Sequence, residues 1–204
     1  MIEIEVLEKD IPYEELYPVM LDAFKERIEQ GLNFVCATFT LDEFIENMKG
    51  MSAIVARQVD EKGNRIIGFQ KFVIENGCLD TGIIAVLTDF KRQGIGTMIF
   101  EKSLEVGRAK GCEYMIADTA VGAESSVKWH KKNGFKAVEL DSYHTTNYYS
   151  YIFRKQLVYH PLWSNSLYCK LRYLMSAARC KLRFRADGKT TKVMNLYLKL
   201  RGVV

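Results

Sequence analysis

The order of elements predicted from the sequence places the chain in the α/β class, with helices packed on a mixed sheet. Runs of strand length alternate apolar with polar residues, and runs of helix length repeat their apolar residues every three or four positions. Glycines stand at the joints between these runs. In chain order the elements read β-α-α-β-β-β-α-β-α-β-β, and a helical segment rich in lysine and arginine follows them.

The first half of the chain carries clear start, stop and turn signals. Pro12 suits the first turn of one helix, and Gly31 suits its end. Thr40, with Glu43 three residues later, forms a capping-box pattern that opens a second helix. Asn76–Gly77 is a hairpin signal between two strands. The predicted spans are a strand at 1–7, helices at 10–31 and 40–50, and strands at 52–59, 65–74 and 78–87.

The second half repeats the alternation of helix and strand. A helix is predicted from Ile95 to Lys110, followed by a strand at 113–118, a two-turn helix closed by Gly134, and strands at 136–140 and 147–157. In the last strand the spacing of two puts Tyr149, Tyr151 and Phe153 on one face. We expect most of its aromatic residues to be packing residues, with one or two tyrosines lining an acceptor pocket.

Composition excludes several classes of protein. Five cysteines form an odd set without a CxxC pair or a histidine at metal-ligand spacing, so we expect neither a disulfide framework nor a metal site. The sequence contains no apolar run of membrane-spanning length and no secretory leader at its start. These features favour a cytoplasmic location, with peripheral membrane association as an alternative raised by the charge pattern.

The charge is divided unevenly along the chain. Residues 1–159 carry 19 lysines and arginines against 24 acids, a net −5, whereas residues 160–204 carry ten against one acid, Asp187, a net +9. Within the basic segment, apolar residues recur at helical spacing at Leu167, Leu171, Leu174, Met175, Ala178 and Leu182. The cations lie mostly to the other sides, at Lys170, Arg172, Arg179, Lys181, Arg183 and Arg185.

Three roles are open for this basic helix. Its apolar stripe can pack on the acidic part of the chain or on a second copy, lie on an anionic membrane surface, or dock on another acidic partner. Nucleic acid is disfavoured as a partner, since the segment has no recognition motif beyond its charge.

The stretch TDFKRQGIGTMIF, residues 88–100, joins a predicted strand to a predicted helix through two glycines. Unpaired amides and the helix dipole make such a joint an anion site, and glycine lets a phosphate approach the backbone closely. The stretch is neither a dinucleotide fingerprint, which needs glycine in place of Ile99, nor a P-loop. The alternative is a structural turn that only tightens the joint.

Two motifs in order carry a resemblance to a known family. The turn KRQGIGT is followed by one helix, a strand and then HKKNGF at residues 130–135. This order resembles the GNAT superfamily of N-acetyltransferases over residues 1–158, which we interpret as a GNAT-like domain with a mostly antiparallel mixed sheet. Residues 159–204 would form a basic amphipathic C-terminal extension outside the resemblance.

The resemblance implies acetyl-CoA as co-substrate, without a metal. The strand residues Val86 and Leu87 would align its pantetheine arm. Ser125 or Ser126 would cap the helix and contact the arm in place of the family's usual asparagine, where Ala123 stands. The loop that would bind the pyrophosphate comprises Lys91, Arg92, Gln93, Gly94, Ile95, Gly96 and Thr97. Lys91 replaces the family's usual arginine or glutamine, so it lacks bidentate geometry.

The resemblance also implies acetyl transfer to a primary amine by direct attack in a ternary complex. His130 stands where many family members have a tyrosine, and it would assist the departing thiolate; the alternative is a solvent-facing histidine. Asp118 is the first candidate for the base, with Asp80 and Glu75 as others.

Two other functions stay open from the residues. One is a CoA-binding module without catalysis, which the change from tyrosine to histidine favours. The other is a membrane-surface acyltransferase that acts on a cell-envelope amino sugar or a lipid-linked acceptor through its basic tail.

Overall fold

A computed structural model describes residues 1–61 and 63–201, and the chain divides into two compact units. The first unit comprises residues 1–30 and 34–115, and the second comprises residues 31–33 and 116–204. Seven strands form one sheet in the order β1-β2-β3-β4-β5-β7-β6, numbered along the chain as defined below. The predicted α/β class with a mixed, mostly antiparallel sheet and flanking helices is confirmed.

The first unit holds four antiparallel strands and three helices. The strands are β1 (Ile2–Leu7), β2 (Ser52–Asp60), β3 (Gly63–Glu75) and β4 (Cys78–Val86), each paired with the next. The helices are α1 (Tyr13–Glu29), α2 (Leu41–Met48) and α3 (Ile95–Ala109), with short 3₁₀ turns at Val35–Thr38 and Thr88–Phe90.

Local signals in this unit act as predicted. The Thr40 hydroxyl accepts from the Glu43 amide at 3.3 Å, while the Glu43 carboxylate accepts from the Thr40 amide at 2.7 Å, so the capping box is complete. Asn76 and Gly77 have φ values of 48° and 73° between β3 and β4. Two consecutive left-handed residues are the conformation that a tight hairpin turn requires.

Helix α3 is fixed on the sheet by apolar and polar contacts. Ile95 and Ile99 are buried, and a Cβ added at Gly68 would lie 3.3 Å from Ile95 Cγ2 and 3.0 Å from the carbonyl oxygen of Ala85. The buried Ser103 hydroxyl donates to Gln70 Oε1 at 2.5 Å. Glycine in β3 therefore lets the start of α3 approach the sheet closely, which positions the turn that precedes it.

The second unit contains the remaining helices and strands. Its elements are β5 (Tyr114–Ala120), whose first two residues belong to the first unit, α4 (Glu124–Lys132), β6 (Lys136–Ser142), β7 (Tyr149–Gln156), α5 (Ser166–Arg183) and α6 (Lys192–Leu200). Strands β6 and β7 pair antiparallel with an irregularity between Ala137 and Glu139. This irregularity accompanies a departure from strict alternation in β7, where Ser150 and Phe153 are the buried residues.

Helix α5 packs on β6 through a face different from the predicted leucine stripe. Cys169 and Cys180 are buried, Tyr173 and Ser176 are half-buried, and the Ser176 hydroxyl accepts from the Leu140 amide of β6 at 3.2 Å. The stripe itself is exposed, at Leu167, Leu171, Leu174, Met175, Ala178 and Leu182. The alternative in which this stripe packs on the rest of its own chain is therefore wrong. The domain boundary at residue 158 stays a prediction.

Candidate functional site

The turn before α3 has an unusual backbone. Arg92 has a φ of 64° and Gly94, the N-cap of α3, a φ of 87°. The amides of Thr97 and Met98 donate to the Gly94 carbonyl at 2.9 and 3.0 Å. Within the described part of the chain, none of the amides of residues 92–96 donates a well-formed hydrogen bond to a backbone acceptor. The helix thus begins with a run of unpaired donors, which is the basis of an anion site.

Space is open in front of both glycines. A Cβ built at Gly94 or Gly96 would meet no heavy atom within 4 Å. Packing therefore does not require glycine at either position, and only Gly94 has a φ that favours it. Neither packing nor backbone conformation requires glycine at position 96, and the missing side chain leaves the helix N-terminus accessible.

The polar side chains of the turn have different surroundings. Lys91 Nζ donates to the Ala23 carbonyl of α1 at 3.2 Å and lies 3.6 Å from Glu26 Oε2. Gln93 Nε2 donates to the Asp89 carbonyl at 2.8 Å. Arg92 is exposed and has no hydrogen-bond or ion-pair partner among the described residues. Arg92 is therefore the cation of this turn that can turn to a ligand without breaking an existing contact.

Helix α1 also holds the turn from its other end. The Thr88 amide donates to Asp22 Oδ2 at 2.6 Å. Sequence reasoning did not single out Asp22, because an acid in the middle of an amphipathic helix carries no signal of a long-range contact. Together with Lys91, it ties both ends of the segment 88–91 to α1.

The two residues expected to align pantetheine differ in what their backbones offer. The Leu87 amide donates to the Ile67 carbonyl at 2.9 Å, and the Leu87 carbonyl accepts from Phe90 at 2.9 Å. Val86 ends β4 and pairs with Gly68 of β3. Leu87 therefore has its backbone groups engaged within its own unit, while Val86 is the last residue of β4.

His130 is a buried residue of the second unit, with only 5% of its surface exposed. Its ring stacks on Phe153 at 5.0 Å and 4°, and meets Phe135 edge to face at 5.3 Å. The alternative of a solvent-facing histidine on the lysine-rich helix is therefore wrong. The sequence lacks a signal for this burial, since the ring that covers His130 comes from a strand 23 positions later.

The hydrogen bonds of His130 set its tautomer. Nδ1 lies 2.8 Å from the Ser126 carbonyl, which can only accept, so Nδ1 carries a proton. Burial lowers the pKa of His130, and this hydrogen bond opposes the shift. The imidazole is therefore neutral at pH 7 in the folded chain, with its Nε2 unprotonated.

Ser126 lies inside the first turn of α4 and does not cap it. The N-cap is Ala123, which makes no side-chain capping bond, so the expectation that Ser125 or Ser126 caps this helix is wrong. The Ser126 hydroxyl instead accepts from Thr119 Oγ1 at 3.0 Å and lies 3.4 Å from His130 Nδ1. Thr119, Ser126 and His130 form a small polar cluster that sequence spacing did not indicate.

The candidate bases lie in different places. Asp118 is exposed within β5, two residues before the strand ends, and not at the strand end where it was expected. Asp80 lies on β4 opposite Val73, where desolvation raises the pKa of its carboxyl and the nearby Lys71 lowers it. Glu75 is exposed at the end of β3.

The sequence profile of the acetyltransferase (GNAT) family matches residues 15–135, more than half of the chain. The chain belongs to this family. The match includes the turn before α3 and extends to Phe135, so both quoted motifs fall inside it. The proteins of this family are acetyltransferases that use acetyl-CoA.

Individual GNAT relatives are distant in sequence. N-alpha-acetyltransferase 30 of Schizosaccharomyces pombe is 21% identical over 91 residues, which is 45% of this chain and 53%, about half, of that relative. Ribosomal-protein-S18-alanine N-acetyltransferase of Escherichia coli superposes with a TM-score of 0.60 at 14% identity, covering 78% of this chain and 96% of the other. The PaiA N-acetyltransferase of Thermoplasma acidophilum, solved with coenzyme A, gives 0.56 at 18% identity over 76% of this chain and 99% of the other.

No group of three or more histidine, cysteine, aspartate or glutamate side chains in residues 1–61 and 63–201 could together hold a metal ion. No helix in these ranges is long and apolar enough to cross a membrane.

Proposed function

We propose that this GNAT protein transfers an acetyl group from acetyl-CoA to a primary amine. The observation that carries the proposal is the turn before α3, where the unpaired amides of residues 92–96 face open space next to Gly96. In the proposed complex the pyrophosphate lies against the amides of Gln93 to Gly96, with the exposed Thr97 hydroxyl beside them. Arg92 adds a charge-assisted contact.

The family match supports acetyl-CoA as the ligand of this turn. A pyrophosphate carries the negative charge that the N-terminus of α3 favours, and the missing side chain at Gly96 allows close contact. Lys91 is held by Ala23 and Glu26, so it contributes by positioning the turn and by long-range attraction. Val86 at the end of β4 is proposed to align the pantetheine arm.

The proposed reaction is direct attack. The neutral amine nitrogen forms a bond to the thioester carbonyl carbon, the carbon–sulfur bond breaks, and the amine proton leaves to a base. A backbone N–H that donates to the carbonyl oxygen would stabilise the charge developing there. The departing thiolate has a pKa of roughly 8.5, so it needs only modest assistance.

His130 and Asp118 stay the candidate acid and base. A neutral His130 with its proton on Nδ1 has no proton on Nε2 to give, so an acid role requires protonation that burial opposes. A His130→Phe variant tests this role directly. Unchanged affinity for CoA with unchanged turnover removes His130 from the mechanism, whereas a fall in turnover alone supports it.

The cost of freeing the amine favours one class of acceptor. Deprotonating a lysine-like amine at pH 7 costs roughly 4.6 kcal/mol, while an α-amino group costs roughly 1 kcal/mol. A carboxylate with an ordinary pKa near 4 is a weak base at pH 7, so the acceptor with the smaller cost of deprotonation is the better substrate. One relative is named as an N-alpha-acetyltransferase and another protein of the same fold as an alanine N-acetyltransferase, which adds a reason to propose a peptide N-terminus or a small α-amine first.

The test is thermal unfolding with and without acetyl-CoA, for the native chain and a Gly96→Asp variant. A ligand that binds only the folded state stabilises it by about 2.7 kcal/mol at a hundredfold excess over Kd. Aspartate fits the open space at position 96 and suits the first turn of a helix, so the variant keeps its fold while repelling phosphate. We choose Gly96 because substitution at Gly94 adds backbone strain.

Ser166→Asp places the same charge in the first turn of α5 and serves as the matched control. We expect acetyl-CoA to raise the midpoint of the native chain and of the control, but not that of Gly96→Asp. An equal rise of the midpoint in all three proteins would mean that acetyl-CoA binds elsewhere. If millimolar acetyl-CoA does not raise the midpoint of the native chain, the turn has only a structural role.

The second candidate function is a CoA-binding module without catalysis. The buried, neutral state of His130 favours it, because the proposed acid is then not available near pH 7. Release of the CoA thiol in the presence of a panel of peptide α-amines, lysine peptides and amino sugars separates the two candidates. Binding without thiol release for every acceptor would support the module.

A further inference from the structure

Helix α5 exposes an apolar face along its length. Leu167 is 65% exposed, Leu174 51% and Met175 66%. The leucine face comprises Leu167, Leu171, Leu174, Met175, Ala178 and Leu182, all exposed. The following helix α6 adds the exposed apolar residues Val193, Leu196, Tyr197 and Leu200. A run of this length differs from the single exposed leucines that are normal on a protein surface.

The leucine face lies opposite the face that packs on β6. At 3.6 residues per turn, or about 100° per residue, the centre of the leucine face lies roughly 180° from the line through Cys169, Tyr173 and Cys180. The packed face is already occupied by the second unit, and Ser176 fixes it to Leu140. Helix α5 is therefore anchored on one side while its other side presents leucines outward.

Cations border the leucine face on both sides. By the same helical spacing Lys170 and Lys181 lie along one border, and Arg179 and Arg183 along the other. None of these four has an ion-pair partner among the described residues. Lysine and arginine beside an apolar face can bury their methylene chains and reach charged groups at its edge.

The segment after α5 keeps α6 attached to it. The Thr191 amide donates to the Arg183 carbonyl at 2.9 Å, and Phe184 pairs with Thr190 in an isolated bridge. Thr191 also caps α6 by accepting from the Met194 amide at 3.1 Å. The two helices with exposed apolar residues are thus joined by an ordered connection in the second unit.

From the exposed leucines and their borders of cations, we infer that the leucine face of α5 docks on an anionic membrane surface. Charge decides between the candidate occupants. The basic segment carries a net +9, so a second copy joined through this face would bring two strongly positive segments together without negative charge between them. An anionic bilayer supplies an apolar layer for the leucines and phosphates for the bordering cations. The chain would lie on the bilayer, because no helix in the described residues can cross it.

The experiment is flotation of the full chain with two kinds of vesicle, one of phosphatidylcholine alone and one with roughly one-third phosphatidylglycerol. We expect the chain to float with the anionic vesicles and to remain behind with the neutral ones. Lys170→Gln with Lys181→Gln should weaken binding roughly twenty- to thirtyfold, at about fivefold for each cation near the surface. Leu171→Gln with Leu174→Gln should weaken binding to the anionic vesicles by more than about tenfold, because two apolar side chains no longer enter the apolar layer.

A matched double variant, Lys131→Gln with Lys132→Gln, removes two exposed cations from α4 and should float as the native chain does. All substituted side chains are exposed, so equal thermal midpoints will show that folding is unchanged. Flotation that the leucine variant does not change, or equal loss in the α4 control, would overturn the inference. A dimer in sedimentation that Leu171→Gln with Leu174→Gln converts to a monomer would also overturn it, in favour of a second copy.

Discussion

His130 connects the sequence motif HKKNGF to the stability of the second unit. Its pKa lies below the ordinary value of 6.5 because burial disfavours the charged ring. As the pH falls below 6.5, the unfolded chain takes up a proton that the folded chain does not, so protonation favours unfolding. We therefore expect the thermal midpoint to fall as the pH is lowered below about 6.5, through the interval down to the depressed pKa. His130→Phe should flatten this fall, because phenylalanine can stack on Phe153 and does not titrate.

The measurement is a series of thermal unfolding curves at intervals from neutral to mildly acidic pH. Aspartate and glutamate side chains ordinarily titrate at about pH 4, so their contribution to the pH dependence of the thermal midpoint lies mostly below this window. His130→Gln is the control for the loss of the aromatic ring, since it should lower the midpoint at every pH without restoring the slope. The same slope in the native chain and in His130→Phe would show that His130 does not titrate differently in the two states.

Single residues were predictable where their signal is local. The backbone of Gly94 and the capping pair Thr40 and Glu43 follow from rules that act within a few positions. The burial of His130 and the contact between Lys91 and α1 depend on partners 23 and 68 positions away. Such contacts follow from the packed fold and leave no pattern in the surrounding sequence.

Helix α5 has the predicted amphipathic pattern, but the face that packs on β6 is not the leucine stripe. Ser176, on the packed face, exchanges hydrogen bonds with the amide and carbonyl of Leu140 on β6. Ser176→Val should lower the free energy of unfolding by about 1–3 kcal/mol, because it leaves the Leu140 amide without that partner. Leu174→Ser, two residues away on the leucine face, should change it by less than about 0.5 kcal/mol.

Chemical denaturation of both variants measures these differences at one pH and temperature. Leu140→Val, which alters a buried side chain of the same strand without touching its amide, controls for general disturbance of β6. A cost at Leu174 as large as that of a buried leucine, about 2–5 kcal/mol, would mean that the leucine face is packed in solution.

Elements were predicted well where start or stop residues mark them. The turn at Asn76–Gly77 and the helix from Ile95 have such marks, and both were found. Helix α6 was not predicted, although Thr191 caps it, because its apolar residues lie next to a segment already interpreted as one basic helix. Strand β5 extends two residues beyond its predicted end, since Thr119 and Ala120 are buried like the strand before them. The leucine stripe was recognised, but amphipathic spacing does not tell which of two unlike faces packs inward.

At the scale of the whole molecule, the distribution of charge and of exposed apolar surface separates the basic segment from the rest of the chain. The acidic part contains the turn proposed for acetyl-CoA, and the basic segment contains the leucine face proposed for the membrane. The two proposals rest on different residues, so the test of each is independent of the other. Vesicle binding by a Gly96→Asp variant should equal that of the native chain.

The five cysteines are spread over both units and report on the folding of the whole chain. All five are thiols; Cys36 is half-buried, while Cys78, Cys112, Cys169 and Cys180 are buried. Burial also raises the pKa of Cys112 and Cys180, which lowers the fraction of reactive thiolate. A thiol reagent should therefore modify Cys36 first in the native chain, and the other four only as fast as each unit opens.

Cys36→Ser should abolish the fast phase of thiol modification, and denaturant should restore rapid reaction at every remaining thiol. Two or more fast thiols in the native chain would mean that at least one of the two units opens more readily than its buried core implies.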